Sequence, residues 1–379
     1  MIFYCKNCNH KIIKNKYIYE DKFFFYIGVS KSLKLLNKFK KKSNLRILEC
    51  NNCGLLYQDI SKATLKFLDK IYTSKISNIS TNMEDSNMGG ERFDRTISKI
   101  FFKNKPKKLL EIGSQDSFFL SYLNNKFNCQ CVGIEPSYKK NSYIKKNVKI
   151  IKGFFDSKIN LKDKFDTFIC LWTLEHIENI TDFFETINKL KNPNFTQLII
   201  SVPNTNLQIL NGDPGIFIHE HINYFNKNSL TNILNFFDFE LESYKEDKTD
   251  IYFTAVSKKM DFRYQIPNLS LISLYKKNLK LRVNKIKFIK KFKNIALWGA
   301  CPTTINLSNF LNLKNYSIFD IDTYKHGKYI SGSPKKILNP KSVNFQNFDK
   351  IILLPLGFSL VEKKYFLKKY PKIFIDFFK

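Results

Sequence analysis

Five histidines occur in this chain, and two of them flank one glutamate in the stretch GIFIHEHINYF, residues 215–225. Imidazole titrates closest to neutrality of the common side chains, so His219 and His221 around Glu220 suit proton transfer. Three readings compete for such a cluster: a metal site, an acid/base centre, or a buried polar knot that only holds a loop. On an extended chain, residues two apart share a face and the one between them points away. His219 and His221 would then face one way and Glu220 the other, which ranks the metal reading last.

Sulfur forms a second constellation. Cys5-Lys-Asn-Cys8 and Cys50-Asn-Asn-Cys53 are two C-x-x-C pairs. Each pair lets two thiolates grip one ion, and two pairs complete a tetrahedral Cys₄ zinc site with Zn–S bonds of about 2.3 Å. Gly54 follows the second pair, as such turns favour. His10 is a spare ligand, but four thiolates already close the shell. Disulfides are the competing reading, disfavoured because MIFYCKNCNH does not read as a signal peptide. Cys129, Cys131, Cys170 and Cys301 lie in apolar, strand-like contexts and read as small buried residues.

A third set lies at strand ends. Glu111-Ile-Gly113-Ser-Gln-Asp116-Ser leaves one strand and enters a helix, a turn where a ligand can approach the backbone. Glu135 ends the next strand, where a carboxylate can accept both hydroxyls of a ribose. Phe154, Phe155 and Asp156 follow the third, where an adenine can pack. Asp166 opens the fourth. A dinucleotide site would want G-x-G-x-x-G to receive a pyrophosphate, and that motif is absent. A cofactor with a ribose and no phosphate fits better: S-adenosylmethionine. An ordinary strand–turn–helix explains any one of these residues, but not readily the ordered set.

The elements that must position these groups alternate. From residue 106 the chain reads KKLLEIG strand, SFFLSYLNNKF helix, CQCVGIEP strand, NVKIIKG strand, KFDTFICLW strand, DFFETINKL helix, TQLIISVPN strand, KNSLTNILNFF helix. A strand–turn–strand pair, FELESYKED-KTD-IYFTAVSKK, closes the run. This predicts a mainly parallel sheet with helices on both faces and an antiparallel edge. A second α/β run begins at NIALWGA. Three parts are expected: a zinc-binding module over 1–75, a cofactor domain over 76–260 and a second α/β domain over 261–379.

The net charge of +30 invites a nucleic-acid reading. Only five arginines contribute, whereas readers of phosphates and bases lean on arginine forks. The lysines are scattered, and the chain is rich in Lys, Asn, Ile and Phe, the residues of A/T-rich codons. A nucleic-acid partner is therefore not expected. No apolar run approaches the ~18 residues of a membrane span, and a cytoplasmic enzyme is expected.

LLEIGSQDS resembles the E-I-G-S-N-D-G turn of the zinc-containing sugar C-methyltransferases, enzymes that act on nucleotide-linked deoxy-4-ketosugars. CKNC and CNNCGLLYQ resemble that family's zinc knuckles, LEHI with His176 its histidine segment after the fourth strand, and FIHEHINYF its Y-H-E-H-x-x-Y-F stretch. NIALWGA and FDIDTYKHGKYISGSP resemble segments of its C-terminal Rossmann-like domain. The resemblance spans nearly the whole chain. It implies a class I methyltransferase fold centrally, a monomer, and methylation of a carbon beside a ketone through an enolate. It makes His221 the base, with Glu220 orienting it or holding the sugar and His176 contacting a sugar oxygen. Asn223 and Tyr224 are expected to line the substrate pocket, with Lys325 and Lys328 as candidates toward the nucleotide. Three positions depart from the pattern: Ile218 stands for the tyrosine before H-E-H, Ser117 for the second glycine of the turn, and Cys301-Pro-Thr-Thr follows Gly299-Ala300 where a lysine is usual. Two other classes compete: an RNA or other small-molecule methyltransferase, and a non-catalytic binding protein on the same scaffold.

Overall fold

A computed structural model describes residues 3–12, 18–25, 28–37, 42–73, 87–115, 117–138, 142–259, 263–355 and 360–379. Its centre is an eight-stranded sheet. We number seven of its strands β1 (Lys108–Ile112), β2 (Gln130–Ile134), β3 (Val148–Ile151), β4 (Thr167–Leu171), β5 (Gln197–Pro203), β6 (Phe239–Glu246) and β7 (Asp250–Ser257). The order across the sheet is β6-β7-β5-β4-β1-β2-β3, with the short strand Ser142–Lys145 outside β3. Strands β1 to β5 are parallel, while β7 runs antiparallel between β5 and β6. This is the class I methyltransferase arrangement.

The central strands are apolar on both faces because helices cover both. Every residue of β4, TFICL, is buried. Helix α1 (Lys62–Thr73) belongs to the N-terminal region, and α2 (Asn87–Lys99) precedes β1. Helix α3 (Phe118–Phe127) follows β1, α4 (Ile180–Leu190) follows β4, and α5 (Thr205–Leu210) and α6 (Lys227–Phe236) follow β5. Their starts are set locally. Asn179 accepts from Asp182 N at the head of α4, and Asn226 with Ser229 forms a reciprocal capping box on α6.

The N-terminal region is stitched to the rest of the chain. Its antiparallel strands Ile18–Phe24, Lys42–Glu49 and Leu56–Gln58 take a fourth partner, Asn223–Tyr224, from the H-E-H segment. The strand Val29–Ser30 pairs with Tyr329–Ile330, far along the chain. Buried Glu49 accepts from Ser270 Oγ at 2.6 Å, Leu271 N at 2.7 Å and Ile272 N at 3.0 Å. It thereby satisfies the first amides of helix α7 (Leu271–Ile286), where a negative charge suits the helix dipole.

The second α/β run forms a five-stranded parallel sheet: Ile337–Leu338, Tyr316–Phe319, Ile295–Trp298, Lys350–Leu353 and Phe374–Asp376. Helix α8 (Pro302–Phe310) follows Ile295–Trp298 and presents its first turn to residues 213–215. Thr303 Oγ1 donates to Asp213 at 2.8 Å, and Asn306 Nδ2 donates to Pro214 O at 2.7 Å. Only glycine fits at 215, because a Cβ there would lie 2.4 Å from Thr303 N. Among the described residues, no helix is long and apolar enough to cross a membrane.

Candidate active site

A cavity of about 450 Å³ opens at the carboxyl ends of β1, β2 and β4. The 218–221 turn and Pro302 at the head of α8 form its other walls. The floor is the Gly113 turn. Gly113 has φ 77°, and a Cβ there would sit 2.1 Å from Thr173 Oγ1. The left-handed backbone and the close approach both demand glycine. Glu135 reaches back under this turn: its carboxylate accepts from Gln115 N at 3.0 Å, Ser137 N at 2.9 Å and Ser137 Oγ at 2.6 Å. It is fixed at the mouth of the cavity with lone pairs left for a ligand hydroxyl.

Phe154 is exposed at the cavity edge, whereas Phe155 is buried against Phe183. Glu111 is buried within the sheet opposite Gly133 and does not line the cavity. Three expected cofactor residues, Glu111, Asp156 and Asp166, are thus corrected. Asp156 does not reach the cavity; its carboxylate accepts from Lys158 N at 2.9 Å and closes its own turn. Asp166 lies at the opposite end of the parallel sheet, where it accepts from Lys107 N and Lys108 N and ties β4 to β1. Asp116 lies outside the described residues.

The H-E-H segment is a turn, not a strand: His221 N donates to Ile218 O at 3.2 Å. The extended-chain argument is corrected accordingly. Glu220 and His221 both line the cavity, and His219 is turned away from it. His219 is fully buried and stacks on Phe25, with ring centroids 4.1 Å apart. Burial lowers its pKa to about 4. The three residues therefore split, with one serving as a packed wedge and two facing the site.

His176, from the 3₁₀ turn Leu174–His176 after β4, meets His221 with ring centroids 5.0 Å apart. Its Nδ1 lies 2.9 Å from Glu220 O and 3.0 Å from Tyr72 Oη. A carbonyl only accepts, so Nδ1 carries the hydrogen and Nε2 keeps its lone pair. Tyr72, on α1, then has its hydroxyl hydrogen free to point into the cavity that it lines. Desolvation lowers His176 to about 4 and His221 well below its ordinary value, with His176 adding to the latter shift. Desolvation raises Glu175 and Glu220 to about 8. At neutral pH the wall thus offers neutral imidazoles as acceptors and carboxylic acids as donors.

Asn223 and Tyr224 are corrected as pocket residues. Asn223 is fully buried, and its Nδ2 donates to Ile177 O at 2.6 Å and Leu174 O at 3.4 Å. The Tyr224 hydroxyl accepts from Ile218 N at 3.2 Å and donates to Ile218 O at 3.0 Å. Both hold the turns that carry His176 and His221. Lys325 and Lys328 do not line the cavity either. Lys325 pairs with Asp320 at 2.9 Å, which raises its pKa against burial, and Lys328 lies over the Tyr324 ring. Sequence reasoning missed Tyr72, Arg92, Trp172 and Glu175 as cavity residues. Glu175 adjoins His176 in LEHI and was the most findable of the four.

The four thiols of Cys5, Cys8, Cys50 and Cys53 converge, all within 4.8 Å of one another. Cys5 Sγ and Cys53 Sγ are 3.7 Å apart, and Cys8 Sγ and Cys50 Sγ are 3.5 Å apart. A tetrahedron with Zn–S bonds of 2.3 Å has edges of about 3.8 Å. Asn7 N and Asn52 N point at Cys5 and Cys50 sulfur, both at 3.4 Å, as suits thiolates. The donor set fits a tetrahedral metal ion.

Residues 85–244 match the family model of a methyltransferase domain. No curated protein has a significant sequence match. Among solved structures, an S-adenosylmethionine-dependent methyltransferase from Mesorhizobium loti is 10% identical with a TM-score of 0.37, over 44% of this chain and 98% of that one. One from Aquifex aeolicus is 15% identical at 0.32, over 52% and 100%. The Burkholderia thailandensis 1,6-didemethyltoxoflavin-N1-methyltransferase, with bound substrate and S-adenosylhomocysteine, is 12% identical at 0.36, over 56% and 96%. Strand order, the Gly113 turn and the family match define the class: this chain carries a class I S-adenosylmethionine-dependent methyltransferase domain.

Proposed function

We propose that the chain methylates a carbon beside the ketone of a nucleotide-linked sugar, in the making of a surface polysaccharide or glycoconjugate. The observation that carries this reading is that His176 and His221 meet in the same cavity as the Gly113 turn and Glu135. Bound S-adenosylmethionine supplies an electrophilic methyl group. Glu135 would hold its ribose, the Gly113 turn would pass its chain, and Phe154 would cover its base.

The residues of the chain supply the proton chemistry. Neutral His221 removes the proton on the carbon next to the ketone. The developing enolate oxygen receives hydrogen bonds from the protonated Glu220 carboxyl and the Tyr72 phenol, two residues that line the cavity. Tyr72 compensates for the phenol that Ile218 lacks. His176, its Nδ1 committed to Glu220 O, offers Nε2 to a sugar hydroxyl. We assign zinc to the four cysteines as a structural ion, and the division into 1–75, 76–260 and 261–379 as three functional parts.

Calorimetry with S-adenosylmethionine, followed by incubation with a panel of nucleotide 4-ketosugars and mass analysis, tests the reading. Gain of one methyl group is expected, and His221→Ala should lower turnover about 10²–10⁴-fold while cofactor affinity holds. Cofactor binding with no methylated panel member would overturn the sugar assignment.

A further inference from the structure

Arg92 lies on α2, half-buried in the cavity wall. Its guanidinium carbon stands 3.7 Å from the centroid of the Trp172 ring. That platform is rigid. Trp172 follows β4 with φ 48°, and its Nε1 donates to Asp250 Oδ1 at 2.9 Å. Asp250 Oδ2 is taken by Arg95 at 3.2 Å and Thr249 Oγ1 at 2.7 Å. Nearby Asp250 is thus already satisfied, and among the described residues Arg92 forms no ion pair. Asp250 attracts Arg92 only from a distance, and a half-desolvated cation without a direct partner gains from an anion that arrives beside it. Seated over the indole, the planar guanidinium keeps N–H groups for a ligand in a fixed fork, the geometry that grips a carboxylate with two bonds.

Position says which anion. Strands β2, β1 and β4 are neighbours, so Glu135, the Gly113 turn and Trp172 stand at consecutive strand ends. Two strand spacings put Glu135 and Trp172 roughly 10 Å apart. A ribose at Glu135 and a chain crossing the Gly113 turn end near Trp172, whose neighbour Thr173 contacts that turn.

We propose that Arg92, held by Trp172, binds the α-carboxylate at the amino-acid end of the methyl donor. This rests on the cofactor reading above. The probes are S-adenosylhomocysteine and 5′-methylthioadenosine, which shares the nucleoside and sulfur but has no carboxylate. Both are titrated into the wild-type chain, Arg92→Met and Arg92→Lys. Arg92→Met should weaken S-adenosylhomocysteine about 10–100-fold, the worth of a charge-assisted pair. Methylthioadenosine should stay within about twofold, and Arg92→Lys should recover part of the loss as a point charge. Equal weakening of both probes, as misfolding would give, overturns the proposal. So does unchanged S-adenosylhomocysteine binding, including the case where only the acceptor KM rises. A wild type that binds neither probe overturns the cofactor reading and this proposal with it.

Discussion

The four cysteines and the Glu175–His176–His221 group both gather donor atoms within 4.8 Å of one another, yet they are built for different work. Around the cysteines, backbone amides point at sulfur and the shell closes on itself. Around the histidines, one wall is open cavity. His176 has spent Nδ1 on a carbonyl, and burial keeps Glu175 protonated at neutral pH. A protonated carboxyl is a poor ligand and a good donor. Proximity therefore does not define a metal site; the location of the remaining protons does.

Metal content is the most direct way to break that comparison. The purified 379-residue chain should carry one zinc, not two, by elemental analysis. Cys8→Ala with Cys50→Ala should remove it and collapse thermal stability, since structural zinc contributes on the order of 10 kcal/mol to small folds that depend on it. Two zinc ions per chain, with the second lost in His221→Ala, would make the histidine group a metal centre.

The carboxyls give the next largest effect. A buried carboxyl at about 8 binds a proton in the folded chain that the unfolded chain releases near 4.5. Stability from this group is complete below the unfolded value and is lost as pH rises toward 8. Glu220→Gln should therefore raise Tm at pH 8.5, by on the order of 1–3 kcal/mol of stability, and change little at pH 4.5. In the wild type, activity should fall on the alkaline side near pH 8 as Glu220 stops donating. Glu220→Gln, which still donates, should blunt that limb. An alkaline limb identical in both proteins would remove Glu220 from the chemistry.

Tyr224 separates holding from binding. Tyr224→Phe strips Ile218 N and Ile218 O of their common partner in a buried turn. A loss of about 1–3 kcal/mol is expected in denaturant melts, with S-adenosylhomocysteine affinity unchanged. An unaltered melt with a raised acceptor KM would return Tyr224 to the pocket wall.

These contrasts track what the sequence makes legible. The cysteine pairs are local: two spacings of four residues define a tetrahedron wherever the chain goes between them. The alternating strands and helices, the antiparallel β7 and the Gly113 turn were likewise written in period and punctuation. The histidine site is assembled from α1, the turn after β4 and the 218–221 turn, so no single window contains it. The tight turn at 218–221 reversed the expected directions of His219 and Glu220. Asn223 and Tyr224 sit next to His221 in sequence, but pairing with Leu56–Gln58 draws them into the sheet and away from the ligand. Arg92 and Tyr72 lie on helices whose spacing reads as ordinary surface and core.

Ser117 yields the smallest effect and tests the turn that leads from the cavity into α3. It starts α3 with φ 65°, in the left-handed region. That conformation costs a residue with a Cβ about 1–2 kcal/mol, whereas glycine pays instead about 0.5–1 kcal/mol in unfolded-state entropy. Ser117→Gly should thus stabilise the chain by about 1 kcal/mol or less, visible as a rise of a few degrees or less in Tm. Cofactor affinity should hold, because the backbone already has the shape a glycine would give it. A drop in stability would mean that the Ser117 side chain contributes more to this turn than its backbone loses. A drop in affinity alone would make its hydroxyl a cofactor contact, and the departure from glycine at this position would then be functional rather than tolerated.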